Sequence, residues 1–153
     1  MKKMLTAFAA LAVIAAPAAA APVVGQPAPD FKLNDANGGV VQLSDFKGKP
    51  VVLEWNNPGC PFVQKHYGSG NMQKAQAAAK AAGAVWLSIN SGAPGEQGHM
   101  NGAEAKAFVA SAKAQPTAYL LDPKGVVGRG YDAKTTPHMY VIDAKGTLVY
   151  AGG

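Results

Sequence analysis

The stretch Val51-Val52-Leu53-Glu54-Trp55, followed by Asn56-Asn57-Pro58-Gly59 and then Cys60-Pro61, limits the fold more than any other part of the chain. Five mostly apolar residues in a row suit a strand covered on both faces. The Asn-Asn-Pro-Gly run ends that strand, and Pro61 stands at the first position of a helix, where its missing N–H costs nothing. A buried strand that turns sharply into a helix is the repeating unit of an α/β sheet.

The remaining pattern agrees. Residues 31–34 and 40–43 read as two short strands, joined by Asp35-Ala36-Asn37-Gly38-Gly39, whose residue types tolerate the backbone of a hairpin loop. Residues 44–49 read as a turn. The helix opened by Pro61 is interrupted at Gly68-Ser69-Gly70, resumes near Asn71 and stops at Gly83. Residues 85–89 form the next buried strand, 91–101 a glycine-rich loop, and 102–114 a helix. A strand at 118–121 and a short helix at 126–131 follow, and the strands 139–142 and 147–150 close a hairpin through Asp143-Ala144-Lys145-Gly146. The expectation is an α/β fold: a central mixed sheet flanked by helices, with an N-terminal β-hairpin. The chain stops at Gly153, where a sheet of this kind would take one more covering helix, so a C-terminal helix is expected to be missing.

Residues 1–20 read as an address. Lys2 and Lys3 precede an apolar run, and Ala18-Ala19-Ala20 offers a small-residue cleavage site, the layout of a secretory signal peptide. The run is shorter than the roughly 20 residues of a spanning helix, which weighs against an uncleaved anchor. The domain is then 21–153, about 130 residues, enough for one core. The expected location is periplasmic or secreted, with no stable membrane insertion after cleavage. Without Lys2 and Lys3 the formal charge falls from +5 to +3, with no basic run, and nothing suggests nucleic acid.

An exported chain with a single cysteine is unusual, because its compartment pairs thiols. Cys60 is therefore either reactive or an inert small hydrophobe. Its place at a helix N-terminus favours reactivity, because unpaired N–H groups and the helix dipole stabilise a thiolate. Lys65, on the same short helix, is expected to lower the thiol pKa further. Glu54 is a lone carboxylate in an apolar strand. Its charged form is costly to bury, which makes it a candidate proton carrier unless it reaches the surface or a lysine. Thr136-Pro137, just before a strand, is the third feature. A cis bond there would turn the Thr136 backbone toward Cys60.

Taken together these residues resemble the thioredoxin-like superfamily, in its exported redoxin or peroxiredoxin-like (AhpC/TSA-like) branch. The resemblance rests on Gly25-Gln-Pro-Ala-Pro-Asp-Phe31, Leu43-Ser-Asp-Phe-Lys-Gly-Lys49, Val51-Val-Leu-Glu-Trp55, Cys60-Pro61, Thr136-Pro137 and Val141-Ile-Asp-Ala-Lys-Gly146, in the family's order. It implies a thioredoxin-like fold, with Cys60 as nucleophile, Pro137 as the cis-proline beside it and Glu54 as the buried acid. Thr136, Pro137 and Asn57 would orient the substrate.

The departures are equally specific. Val63 stands where thioredoxins carry the second cysteine of C-x-x-C. Asn57 and Leu53 replace the threonine or serine and the proline of typical peroxiredoxins, and Arg129, the only arginine, does not fall at the family's place. The run Asn-x-x-x-Cys-Pro-Phe-Val-x-Lys-His-Tyr at 56–67 is similar to a peroxiredoxin-like subgroup with one such cysteine. The expected function is a cell-envelope thiol oxidoreductase acting through Cys60 on hydroperoxides or protein disulfides, without a cofactor or metal and with an external thiol as reductant. Two alternatives stand beside it: a redox-inactive binding module on the same scaffold, and a copper-handling protein using Cys60, His66, His138 and Met100.

Overall fold

A computed structural model of the protein describes residues 21–153; the expected signal peptide lies outside them. Seven strands form one mixed sheet: β1 (Lys32–Asp35), β2 (Val40–Gln42), β3 (Val51–Trp55), β4 (Val85–Asn90), β5 (Ala118–Leu121), β6 (His138–Ile142) and β7 (Leu148–Gly152). Their order across the sheet is β2-β1-β5-β4-β3-β6-β7. β3, β4 and β5 run parallel; β1, β2, β6 and β7 pair antiparallel to their neighbours. The helices are α1 (Pro61–Gly68), α2 (Asn71–Ala81), α3 (Gly102–Ser111) and α4 (Val126–Gly130). A thioredoxin-like α/β architecture with an N-terminal hairpin is what the sequence predicts. Several boundaries shift by one or two residues, and two differences are larger: residues 43–46 form a 3-10 helix rather than the end of β2 and a plain turn, and α3 stops three residues earlier than expected.

The two faces of the sheet explain the residue pattern. Alternate residues of a strand point to opposite faces. Val51, Leu53 and Trp55 of β3 therefore join Phe31, Leu87, Ile89, Leu120, Tyr131, Tyr140 and Leu148 in the main core. Val52 and Trp86 face the other way, onto Val63, Tyr67 and Met72 of the α1–α2 layer. β4, flanked on both sides by parallel strands, is buried at all six positions. The break between α1 and α2 is made by Gly70, whose φ of 77° lies in the left-handed region that favours glycine. In the main core, Trp55, Tyr131 and Tyr140 meet pairwise with ring centroids 5.3 Å apart.

This packing brings two structural breaks together. The C-terminal end of β3, where the chain turns into α1, faces the start of β6, because Trp55 pairs with His138. Leu53, fully buried in the middle of β3, holds that strand between β4 and β6. Leu53→Ala is expected to lower stability by about 2–5 kcal/mol, the range for truncating a buried leucine. Denaturant titration should show a lower midpoint with an unchanged slope.

Candidate functional site

Cys60 is the N-cap of α1. Its backbone is extended (φ −75°, ψ 127°), Pro61 follows as the first helical residue, and the Cys60 carbonyl accepts the first helical bond from Gln64 N–H at 3.0 Å. The corner before it is closed by Asn57: its carbonyl accepts the Cys60 N–H at 2.9 Å and its side-chain Oδ1 accepts the Gly59 N–H at 2.9 Å. Asn57 Nδ2 donates to Gln97 Oε1 at 3.2 Å, which ties the corner to the 91–101 loop.

Across from Cys60 lies the Thr136–Pro137 peptide bond, and it is cis. The Cys60 thiol donates to the Thr136 carbonyl at 3.0 Å. That contact suits the protonated thiol, while other groups suit the thiolate. Partial burial pushes the Cys60 thiol up, but the Thr136 side chain and the backbone N–H groups of Val63 and Phe62 outweigh it and hold the thiol below its ordinary value. The sulfur is partly accessible, and Phe62 beside it is 66% exposed. Lys65 is exposed in the last turn of α1, whereas Cys60 precedes the first, and the groups that shift the thiol are the nearer ones.

Glu54 neither reaches the surface nor meets a lysine. Its carboxylate is fully buried and receives donors from five residues. Asn56 Nδ2 (2.9 Å), Trp86 Nε1 (2.8 Å), Ser88 Oγ (2.8 Å) and Gln76 Nε2 (3.4 Å) each donate to it, and the Tyr67 hydroxyl donates at 2.8 and 3.0 Å to its two oxygens. An acceptor-only group surrounded by donors satisfies the rule that buried charge must be hydrogen-bonded. Burial, and next the Glu54 charge, raise the Tyr67 phenol far above its usual range, so it remains a donor. The cage continues outward: Gln76 Nε2 donates to the Tyr67 oxygen at 3.0 Å, and the Tyr119 hydroxyl donates to Asn56 Oδ1 at 2.8 Å. Glu54 makes no hydrogen bond to Cys60. Its link to the thiol runs through Tyr67, two helical turns along α1.

Sequence reasoning identified Cys60, Asn57, Thr136 and Pro137, and the structure brings all four to one corner. It did not identify Tyr67, Gln76, Trp86 or Ser88 as partners of Glu54, or Gln97 as a neighbour of Asn57. The donors of the copper alternative are dispersed. Met100 is buried with Ala36, Ala105 and Tyr119, and His138 stacks on Tyr140 with centroids 4.7 Å apart. Among the described residues, no group of three or more His, Cys, Asp or Glu gathers to hold a metal.

The AhpC/TSA family profile matches residues 24–151. No curated protein sequence matches the chain. Among solved structures, an uncharacterized conserved protein from Geobacillus kaustophilus is similar at 27% identity and TM-score 0.77, covering 86% of this chain and 69% of its own. A Chlorobium tepidum protein named for thiol:disulfide interchange (DsbE) is similar at 29% identity and TM-score 0.70, covering 86% of each chain. An exposed lipoprotein thioredoxin of Streptococcus pneumoniae is similar at 28% identity and TM-score 0.62, covering 80% of this chain and 87% of its own.

Two outcomes follow from the site. Glu54→Gln places an amide N–H₂ among donors, and is expected to cost about 1–3 kcal/mol in a denaturant titration, the penalty of an unsatisfied buried polar group. Thr136→Val removes a group that favours the thiolate, so the Cys60 pKa should rise. In the parent protein the alkylation rate should fall as pH drops through a midpoint below the free-thiol value of about 8.5. In the variant that midpoint should move to higher pH.

Proposed function

The chain belongs to the AhpC/TSA family, and on that premise we propose that it is a thiol–disulfide oxidoreductase of the cell envelope that works through one thiol, Cys60. The observation that carries this reading is the meeting of Cys60 at the N-terminus of α1 with Thr136 of the cis Thr136–Pro137 bond. The Cys60 thiolate attacks one sulfur of a disulfide. A new S–S bond joins Cys60 to that sulfur, the old S–S bond breaks, and the second sulfur leaves as a thiolate. A thiol from outside the chain then attacks the mixed disulfide and returns Cys60 to its thiolate.

Each residue of the corner has a part. The N–H groups of Phe62 and Val63 hold negative charge on Cys60 whenever it is the attacking or leaving sulfur. The N–H of Thr136 makes no hydrogen bond to the protein among the described residues, which leaves it for the backbone of an incoming substrate. Asn57 fixes the corner that presents the sulfur. Glu54 holds α1 in place through Tyr67. The location rests on the signal-peptide layout of residues 1–20; among the described residues no helix is long and apolar enough to cross a membrane.

Hydroperoxide reduction is the second reading, favoured by the family match. There the thiolate attacks the terminal oxygen, an S–O bond forms, the O–O bond breaks, and an alkoxide leaves Cys60 as a sulfenic acid. The disulfide reading leads because no guanidinium stands beside Cys60 to take up the alkoxide charge. Arg129 belongs to α4 and donates to the Lys124 carbonyl at 3.0 Å.

The deciding experiment incubates the reduced protein with a disulfide peptide or with hydroperoxide and follows the adduct by mass spectrometry. The expected result is one mixed disulfide per chain, none with Cys60→Ser, and repeated turnover only when a thiol is added. A Cys60 inert to both oxidants would leave only the binding-module alternative.

A further inference from the structure

The Cys60 corner occupies only one end of the sheet. Trp55 pairs with His138 at the corner, whereas Val51 pairs with Ile142 at the far end of the same two strands. Four residues of strand separate the two ends, about 13 Å at the usual rise. At the far end lies a cavity of about 310 Å³, enclosed by the 3-10 turn at 43–46, the 47–50 loop, the 143–146 turn and the lead-in at 27–30. Its floor is apolar. Leu43, Val51 and Ile142 are buried members of the main core, and the partly buried Phe46 packs against that core.

Three lysines, Lys47, Lys49 and Lys145, line the same cavity. They come from two segments that the backbone ties together, since the Gly48 N–H donates to the Ala144 carbonyl at 2.9 Å. All three are exposed, and among the described residues none forms an ion pair. Two carboxylates also line the cavity, and both are bound to the chain. Asp30 accepts the N–H groups of Phe31 and Ser44 at 3.0 Å and the Gln42 amide at 2.6 Å. Asp143 accepts the N–H groups of Lys145 and Thr147 at 2.9 Å. The nearby backbone is likewise paired: the N–H groups of Lys47, Lys49, Ala28 and Gly146 donate to the carbonyls of Ser44, Phe46, Gly146 and Asp143. What remains for a ligand is an apolar floor and three ammonium groups.

We propose that this cavity binds a small organic anion with an apolar body, of the class of medium-chain carboxylates. The body lies on Leu43, Phe46 and Ile142, and the charged head lies among the lysines. Charge complementarity selects that occupant. Residues 1–20 carry Lys2 and Lys3 and no acidic residue, and a second copy docked symmetrically would bring its own three lysines to the same face. Either would set like charges together. A lysine ammonium is a point charge on a flexible stem, so the three select the sign of the head rather than a fixed planar shape. The volume is near the lower end for ligand cavities, which suits one small molecule rather than a protein segment. No step at Cys60 enters, so the proposal stands or falls apart from the thiol–disulfide reading.

Octanoate is the probe, titrated into the folded protein while backbone amide resonances are followed. Saturable shifts are expected at Ser44, Lys49, Lys145 and Gly146. Lys49→Gln and Lys145→Gln, both exposed and safe for folding, should each raise the half-saturating octanoate concentration about 2- to 5-fold, the range for an exposed charge pair. Octylammonium, with the same body and the opposite charge, should give no saturable shift. Inorganic phosphate, with charge and no body, should bind more than about tenfold more weakly, because it buries no methylene groups. Octanoate without saturable shifts at these amides, octylammonium matching octanoate, or lysine variants without effect would each overturn the proposal. The lipids of an anionic bilayer offer the same chemistry, and sedimentation with phosphatidylglycerol vesicles separates the two sources. The protein is expected in the supernatant; pelleting that is lost in Lys49→Gln would assign the lysines to a membrane surface and overturn the free-anion proposal.

Discussion

The hydrogen-bond cage around Glu54 is the constraint on which the working corner depends. A carboxylate with no access to water is tolerable only when donors replace its hydration. Those donors come from β3, β4, α1 and α2, through Asn56, Trp86 and Ser88, Tyr67 and Gln76. Hydrophobic burial between Val52, Trp86, Val63 and Met72 draws the helix layer onto the sheet without direction, since apolar contact is indifferent to small slides. The Tyr67–Glu54 bond is directional. It fixes α1 along its axis and about it, and the first turn of α1 carries the Phe62 and Val63 N–H groups that favour the Cys60 thiolate. A charge in the middle of the sheet thus governs a charge at its end through one short helix.

Most of the fold was legible from local chemistry. Five apolar residues ended by Asn-Asn-Pro-Gly, and Pro61 at a helix start, define β3 and α1 without tertiary information. Gly70 marks the break between α1 and α2 for the same reason, because few other residues accept its backbone. The end of β2 was less legible. Leu43 is apolar and buried, which suits a strand, but Gln42 and Asp45 form a reciprocal cap that starts a 3-10 turn at that residue. Here a side-chain-to-backbone bond outcompetes the ladder, a contest that hydropathy does not register.

The candidate site was legible in the residues that form its corner and not in their support. Cys60, Asn57, Thr136 and Pro137 can be read because each breaks a local rule: a lone exported cysteine, an interrupted strand, a proline before a strand. Glu54 also breaks a rule, so its burial could be anticipated, but its partners could not. Tyr67, Trp86 and Ser88 are ordinary residues for their elements, and Gln76 lies within a run of alanines. Only the parallel register of β3 with β4, which sets Glu54 opposite Ser88, and the return of α2 over the sheet make them neighbours. The converse error is Lys65. Its charge and its helix suggested an influence on Cys60, yet it stands in the last turn of α1, where a cation complements the helix C-terminus rather than the thiol.

Val63 belongs to the packing that holds the helix carrying the thiol. A second cysteine at position 63 would lie inside the cluster of Tyr67, Met72 and Trp86, against the same helix face that carries the Glu54 cage. Val63 instead fills that space with a branched, apolar side chain and leaves α1 anchored on both counts. On the open side of the corner, Asn57 and Thr136 touch Cys60 and polar groups replace apolar ones. The Thr136–Pro137 corner therefore has an apolar and a polar side, and the helix that carries the thiol is held from the apolar one.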